Sequence, residues 1–192
     1  MSADVRVGPD AVARCAWVGD DAEYRRYHDE EWGRPLHGDR PLFEKMSLEG
    51  FQAGLSWITI LRKRPHFREV FAAFDPSAIA LFDESDVERL MQDAGIIRNR
   101  AKILATISNA RLLLEMEPGK FDAFMWSFAP DTWPRPTSFA DVAATTPESD
   151  AMSKALRKRG FRFVGPTTMY ALMQSAGMVD DHVEGCWRAQ TR

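Results

Sequence analysis

Residues Leu48 to Phe67 read LEGFQAGLSWITILRKRPHF. The apolar residues Leu48, Phe51, Leu55, Ile58, Ile60 and Leu61 recur at roughly helical spacing, which predicts a helix pressed on a core. Beside that apolar face stand a carboxylate, Glu49, next to Gly50, and then Gln52, the pair Gly54-Leu55 and Trp57. Two glycines about a turn apart cost a helix about 1 kcal/mol each relative to alanine. A helix built only to pack has no use for them. Two glycines, a carboxylate and a tryptophan together suggest a pocket floor, where something flat approaches the backbone closely. A bent core helix with a solvated Glu49 accounts for the same letters, and the pattern alone leaves both readings open.

The bulk composition sets the frame for that stretch. At 192 residues the chain is one domain or two small lobes, long enough to bury a core. Apolar content of 45% and charged content of 28% are ordinary for a globular protein. No run approaches the ~18 apolar residues of a membrane span, so no membrane partner is expected. The N-terminus, MSADVRVGPDAVARC, carries acidic residues and no apolar segment of signal-peptide length. Residues 1–13 are therefore expected to be a disordered lead and residues 14–192 the folded domain of a cytoplasmic protein. A net charge of −3 argues against wholesale coating of nucleic acid. It leaves room for a local basic face, because the basic residues cluster as Arg62-Lys63-Arg64, Arg98/Arg100/Lys102 and Arg157-Lys158-Arg159 with Arg162. Each cluster taken alone also fits a solvated helix end.

Along the chain, Trp17, Tyr24, Tyr27 and Trp32 make a dense aromatic group between and after Cys15 and His28. A helix is expected to begin at Leu42 with Asp39 as its cap, and the pocket stretch to end near Pro65. Asp75-Pro76 reads as a helix start, with Asp capping and Pro in the first turn. Ser85 to Glu88 resembles a capping start for a helix that stops at Gly95. Arg98 to Met116 is the longest expected helix, ended by Pro118-Gly119. FDAFMWSF is a short helix before the proline-rich loop APDTWPRPT. Two more helices are expected over 149–160 and 166–177. Strand-like alternation is nowhere sustained, so the class is all-α.

The segment SDAMSKALRKRGFRFVGPTTMYALMQSAGM is a helix, a short glycine-containing turn and a second helix. The first N–H groups of a helix lack intrahelical acceptors and suit a phosphate. Lys158, Arg159 and Arg162 place charge beside them. Such a hairpin grips a nucleic-acid backbone without reading bases; a plain helical hairpin with a basic surface is the alternative.

The two cysteines lie near opposite ends, and each has a histidine nearby: Cys15 with His28, and His182 with Cys186. His182 and Cys186 are four apart, which puts both on one side of a helical turn. Two Cys and two His form a closed tetrahedral zinc set, a structural one with no open position. A Cys15–Cys186 disulfide, disfavoured in a reducing cytosol, or two unrelated buried thiols remain as alternatives. His37 and His66 have no Cys at ligand spacing.

Taken in order, RCAWV, YRRYHDEEWG, LEGFQAGLSWITIL, QDAGIIRNRAKI, SKALRKRGFRFVG and VDDHVEGC resemble the DNA-3-methyladenine glycosylase I family of helix-hairpin-helix enzymes. The resemblance runs from Arg14 to about Trp187. It implies a bilobal all-α fold with the helix-hairpin-helix over about 149–178. It also implies a structural Zn2+ on Cys15, His28, His182 and Cys186 that joins the two ends of the chain. The implied activity is DNA repair by excision of 3-methyladenine from double-stranded DNA, releasing the free base and leaving an abasic site without strand cleavage. The residue matching Glu49 would recognise the base and assist its release; Tyr27 and Trp57 would line its pocket, with Trp17 close by. Gly54-Leu55 would wedge into the gap, and Arg159, Arg162, Gly165 and Thr167 would contact the DNA backbone. A monomer acting on the nucleoid is expected. The chemistry agrees: a base inside a duplex must leave the stack to be read, a cationic ring suits aromatic faces, and a carboxylate accepts hydrogen bonds from an exocyclic amine. Pro166-Thr167-Thr168 follows the hairpin glycine where a lysine would be needed for an imine, so a monofunctional enzyme is expected. One departure stands out. The family's usual Asn is here Asp180, expected first as a hydrogen-bond partner of His182 and second as a catalytic candidate. A zinc-fastened protein that senses damaged bases without excising them is the competing class. A metal-dependent hydrolase would need an open zinc position, which a four-ligand set does not provide.

Overall fold

The stretch 48–67 folds as two helices meeting at a turn, and that turn decides where the remaining elements go. In the computed structural model, which describes residues 4–190, helix α2 spans Asp39–Gln52 and helix α3 spans Trp57–Val70. The expectation of one continuous bent helix is corrected at Gly54, whose φ of 88° is open to glycine and strained for other residues. The last carbonyls of α2 have no intrahelical donors. Lys102 supplies one, its Nζ donating to the carbonyls of Phe51 and Ala53 at 2.9 Å each. Gly50 serves a different purpose from the pocket floor expected of it. A Cβ there would lie 3.3 Å from Cβ of Phe163, so its bare backbone makes room for a loop of the C-terminal hairpin. Pro65, the expected end of the stretch, lies inside α3.

The N-terminal lead also departs from expectation. Strand β1, Val5–Val7, pairs antiparallel with β2, Ala13–Cys15, so the part of residues 1–13 that is described is an ordered hairpin. Strands of three residues are too short to show alternation in the sequence. Arg14 fastens the hairpin by binding Asp10 at 2.8 Å and Asp29 at 2.7 Å through Nη2. Residues 1–3 lie outside the described residues.

The other elements are helices. Helix α1, Ala22–Glu30, starts where Asp21 caps the backbone N–H groups of Glu23 and Tyr24. Helix α4, Pro76–Ile79, is capped by Asp75 as the sequence predicts. Helix α5, Glu84–Gln92, begins two residues before the expected Ser85-Asp86 start, at a capping box between Asp83 and Asp86. Helix α6, Arg100–Leu114, is capped by Asn99, and α7 is Lys120–Trp126. Asp39, expected to cap its own helix, instead accepts from the backbone N–H groups of Gly119 and Asp122 and so ties the start of α7 to α2. Helices α8, Pro147–Lys158, and α9, Pro166–Ser175, form the helical hairpin. Its loop is fixed by Asn109 of α6, which donates to the carbonyl of Arg162 and accepts from its N–H. No helix among the described residues is long and apolar enough to cross a membrane.

The buried side chains fall into two clusters. The larger runs from Leu42 to Val179 through α2 to α9. The smaller holds Cys15, Val18, Tyr27, Trp32, Leu61, Val183 and Cys186, and Trp57 packs against both. Residues 33–36 lie on the C-terminal end of α9, where Gly33 N–H donates to Gln174 and Leu36 N–H to Ala176. The contact is close enough that Gly177, at φ 70°, has no room for a Cβ: one would fall 2.4 Å from the backbone carbon of Arg34. Gly177→Ala is therefore expected to destabilise the protein by about 2–4 kcal/mol. Urea unfolding measures this, and a loss under ~1 kcal/mol would contradict the packing described.

Candidate functional site

Helices α1, α2, α3 and α9 converge on a cavity of about 390 Å3 between the two clusters. Trp17, Tyr24, Tyr27, Trp32 and Trp57 supply its aromatic walls. Glu49 from α2, Gln174 and Ser175 from α9, and Asp181 supply its polar groups. Gln52, Ser56 and Trp57 lie around the α2–α3 turn, with Gly54 and the 43% exposed Leu55 at the outer surface. The resemblance had placed Glu49, Tyr27, Trp57 and Trp17 together, and all four line this one cavity.

Glu49 is buried, and Ser175 Oγ donates to its Oε1 at 3.0 Å. Burial pushes its carboxyl up to about 7, while the nearby Lys45 ammonium and the Ser175 hydroxyl act in the opposite direction. The ring of Tyr27 lies 5.5 Å from that of Trp57 at 45°, leaving two aromatic faces beside the carboxylate. Burial raises the Tyr27 hydroxyl well above the ordinary tyrosine range, so it stays a donor. Asp181 has its own fixed partners: Tyr170 Oη and Gln174 Nε2 donate to Oδ2 at 2.6 and 2.7 Å, and Trp133 Nε1 donates to Oδ1 at 2.8 Å.

Asp180 stands elsewhere. Its Oδ1 is 2.6 Å from Nδ1 of His182, and Arg135 approaches its Oδ2 at 3.4 Å. It is absent from the lining of the cavity, which its neighbour Asp181 joins instead. The geometry matches the first reading of Asp180, as a hydrogen-bond partner of His182. Two adjacent aspartates alternate in direction here, and one sequence letter cannot say which of them turns inward.

Next to the aromatic wall, ligand atoms of Cys15, His28 and Cys186 lie within 4.8 Å of one another, all buried. His28 Nε2 is 3.4 Å from Cys186 Sγ, while its Nδ1 meets Asp29 at 2.8 Å. The ring of His182 lies 5.0 Å from that of His28; its Nδ1 is engaged by Asp180, and its Nε2 is buried without a partner among the described residues. An orphaned, buried imidazole nitrogen beside two thiols and a second imidazole fits a metal ion. A carboxylate on the remote nitrogen of each ring fixes its orientation as metal-binding histidines require. The neighbouring Cys15 thiol, and then His28, hold the Cys186 thiol below the ordinary cysteine range, while Cys15 itself is raised. Trp17 and Trp32 join this group to the cavity: Trp17 packs on His28 at 5.5 Å, and Trp32 on His182 at 4.5 Å.

The hairpin carries an exposed row of basic residues, Arg157, Lys158, Arg159 and Arg162. Arg159 stacks on Phe124 at 4.1 Å, a contact that holds its guanidinium at the surface. The N–H of Arg162 is taken by Asn109, whereas the first turn of α9, near Gly165 and Thr167, has no side-chain cap. Sequence reasoning did not find Ser175, Gln174, Asp181 or Lys45. Their letters carry no signal, because each gains its role from a partner far along the chain or from burial.

A family model described as methyladenine glycosylase matches residues 17–189. The chain is 52% identical over 180 residues to DNA-3-methyladenine glycosylase 1 of Escherichia coli (strain K12), covering 91% of this chain and 96% of that protein. A crystal structure of 3-methyladenine DNA glycosylase I superposes with a TM-score of 0.87 at 51% identity, covering 91% of this chain and 98% of the other. A variant of 3-methyladenine DNA glycosylase I crystallised in complex with 3-methyladenine gives 0.85 at 33% identity, covering 91% and 96%.

The buried carboxyl has a consequence for stability. Folding raises the Glu49 pKa from 4.5 to about 7, so the fold favours the protonated form. That contribution is fully present below about pH 4.5 and is lost as pH rises through about 7. Glu49→Gln copies the neutral form. The variant is expected to match the native protein at about pH 4.5 and to exceed it by about 1–3 kcal/mol at about pH 8. Urea unfolding at the two pH values checks this; equal stability at both would contradict the burial.

Proposed function

The chain belongs to the methyladenine glycosylase family, and on that premise we propose that it is a monofunctional N-glycosylase of base-excision repair that removes 3-methyladenine from double-stranded DNA. The observation that carries the reading is Glu49: a carboxylate buried beside the faces of Tyr27 and Trp57. Isolated, such a group is costly. A cationic base with an exocyclic amine is the partner that makes the placement favourable, since its ring rests on electron-rich faces and its amine donates to the carboxylate.

The reaction follows from binding. The target nucleotide leaves the duplex and its base enters the cavity, while Gly54 and Leu55 at the exposed turn fill the gap left in the stack. Alkylation makes the base cationic and weakens its bond to the sugar. Water forms a bond to the sugar carbon, the bond to the base breaks, and the base keeps that electron pair and leaves neutral. The water's surplus proton passes to solvent. Glu49 and the two rings hold the departing base in position, and Asp181, fixed by Tyr170, Gln174 and Trp133, also lines the cavity. No lysine follows Gly165 to form an imine, so the product is an abasic site in an intact strand.

Cys15, His28, His182 and Cys186 would hold a structural zinc ion, which when bound supplies a cross-link between the two ends of the chain. Its role is to hold the wall formed by Trp17 and Trp32. The start of α9 with Gly165 and Thr167, and Arg159 and Arg162 beside it, would hold DNA phosphates without reading sequence.

Titration with free 3-methyladenine, followed by tryptophan fluorescence, tests this reading. The native protein is expected to bind, and Glu49→Gln to bind about 10- to 100-fold more weakly and to excise correspondingly more slowly, from the loss of a charge-assisted hydrogen bond. Equal affinities would remove Glu49 from base recognition.

A further inference from the structure

Lys45 lies one turn before Glu49 on α2, and both are buried, at 7% and 3% exposure. An ammonium in that position needs compensation. Among the described residues no oxygen accepts from it and it makes no ion pair within 4.0 Å. Its nitrogen lies instead over two rings, 5.1 Å from the centre of Tyr27 and 5.4 Å from that of Trp57. These rings bound the base cavity, whose lining Lys45 does not join. A second cavity, of about 300 Å3, is lined by Lys45, Leu48 and Ser175, with Glu31, Glu44 and Arg64 around it. The charged groups acting on Lys45 are Glu49 and Glu44 of α2, Arg64 of α3 and Glu31 after α1. Those acting on Glu49 reduce to Lys45, with the Ser175 hydroxyl as hydrogen-bond donor.

We propose that Lys45 is a buried cation beside the base pocket that opposes protonation of Glu49 and thereby sets the lower pH limit of excision. This rests on the excision reading given above. Burial alone drives Glu49 towards its protonated form, and Lys45 is the charge that opposes it. Burial lowers the Lys45 ammonium itself, while Glu49 and Glu31 support its charge. The same charge repels an incoming cationic base. Lys45 therefore acts in two directions: it extends activity towards acid and moderates the grip on the base once Glu49 is ionised. A lysine that merely filled space would do neither. Lys45 is a positioning residue, because it acts through the carboxylate and is not part of the cavity lining.

Lys45→Met keeps an unbranched chain of similar length and removes the charge; Lys45→Arg keeps the charge. In the native protein and both variants, the Glu49 carboxyl is titrated by carbon NMR, its resonance identified by its loss in Glu49→Gln. Excision from a duplex bearing 3-methyladenine is measured over the same pH range. In Lys45→Met the carboxyl titration and the acid limb of excision should both move up by about one pH unit. Above that limb the variant should bind the damaged duplex several-fold more tightly, and Lys45→Arg should retain the native limb. An unchanged Glu49 titration in Lys45→Met overturns the proposal. Lys45→Gln makes the same comparison should the methionine variant fail to fold. If the titration moves while even the native protein releases no base, the coupling of Lys45 to Glu49 stands and the excision reading falls.

Discussion

A carboxylate surrounded by aromatic rings has to be held there by the rest of the fold, because solvation would otherwise draw it out. Glu49 is held by its place in the interior of α2, by the Ser175 hydroxyl from α9, and by the long-range field of Lys45. Each support has its own anchor. Lys102 and Gly54 end α2 where the cavity begins, and the close passage of residues 33–36 over Gly177 fixes the end of α9. A buried carboxylate costs more than an apolar filling, and a cationic ligand would remove that deficit. Stability set aside at a binding site is a common feature of functional pockets.

The second constraint is the closure of the chain ends. The smaller buried cluster has little apolar material: two cysteines, two valines, a leucine, a tyrosine and a tryptophan. It gains definition from Asp29 and Asp180, each fixed on a ring nitrogen of a histidine, and from the tryptophans that meet those rings edge to face. Buried ligand atoms of Cys15, His28 and Cys186 converge, and the ring of His182, whose Nε2 has no partner among the described residues, lies 5.0 Å from that of His28. A metal there would serve the base cavity at one remove, by holding Trp17 and Trp32 upright. The hairpin β1–β2 brings Cys15 into place, which gives the N-terminal segment a function in the architecture.

How far the sequence was legible depends on the range of the interaction. Helix starts with local caps, such as Asp75 before Pro76, could be read because cap and helix are neighbours. Asp39 could not, because it caps α7, eighty residues on, in place of its own helix. Gly50 and Gly54 raised one suspicion for two causes: one glycine admits Phe163 and the other makes a left-handed turn. The pairing of Cys and His at the two ends was visible as spacing, and the aromatic set near Glu49 as density. Asp181 went unnoticed beside Asp180 because adjacent letters carry no direction. Lys45 went unnoticed, since a lysine in a helix reads as solvated until its burial is seen.

The central claim is that this cavity receives a methylated adenine from DNA and lets it go as a free base. The most direct measurement incubates the purified protein with alkylated duplex DNA and separates the released bases by chromatography with mass detection. The strands are examined in parallel before and after alkaline treatment. The account predicts release of free 3-methyladenine well above the spontaneous rate, with strands that stay intact until alkali cleaves them at abasic sites. Tight binding to alkylated DNA with release no faster than spontaneous loss would contradict it, and would make the protein a sensor of damage.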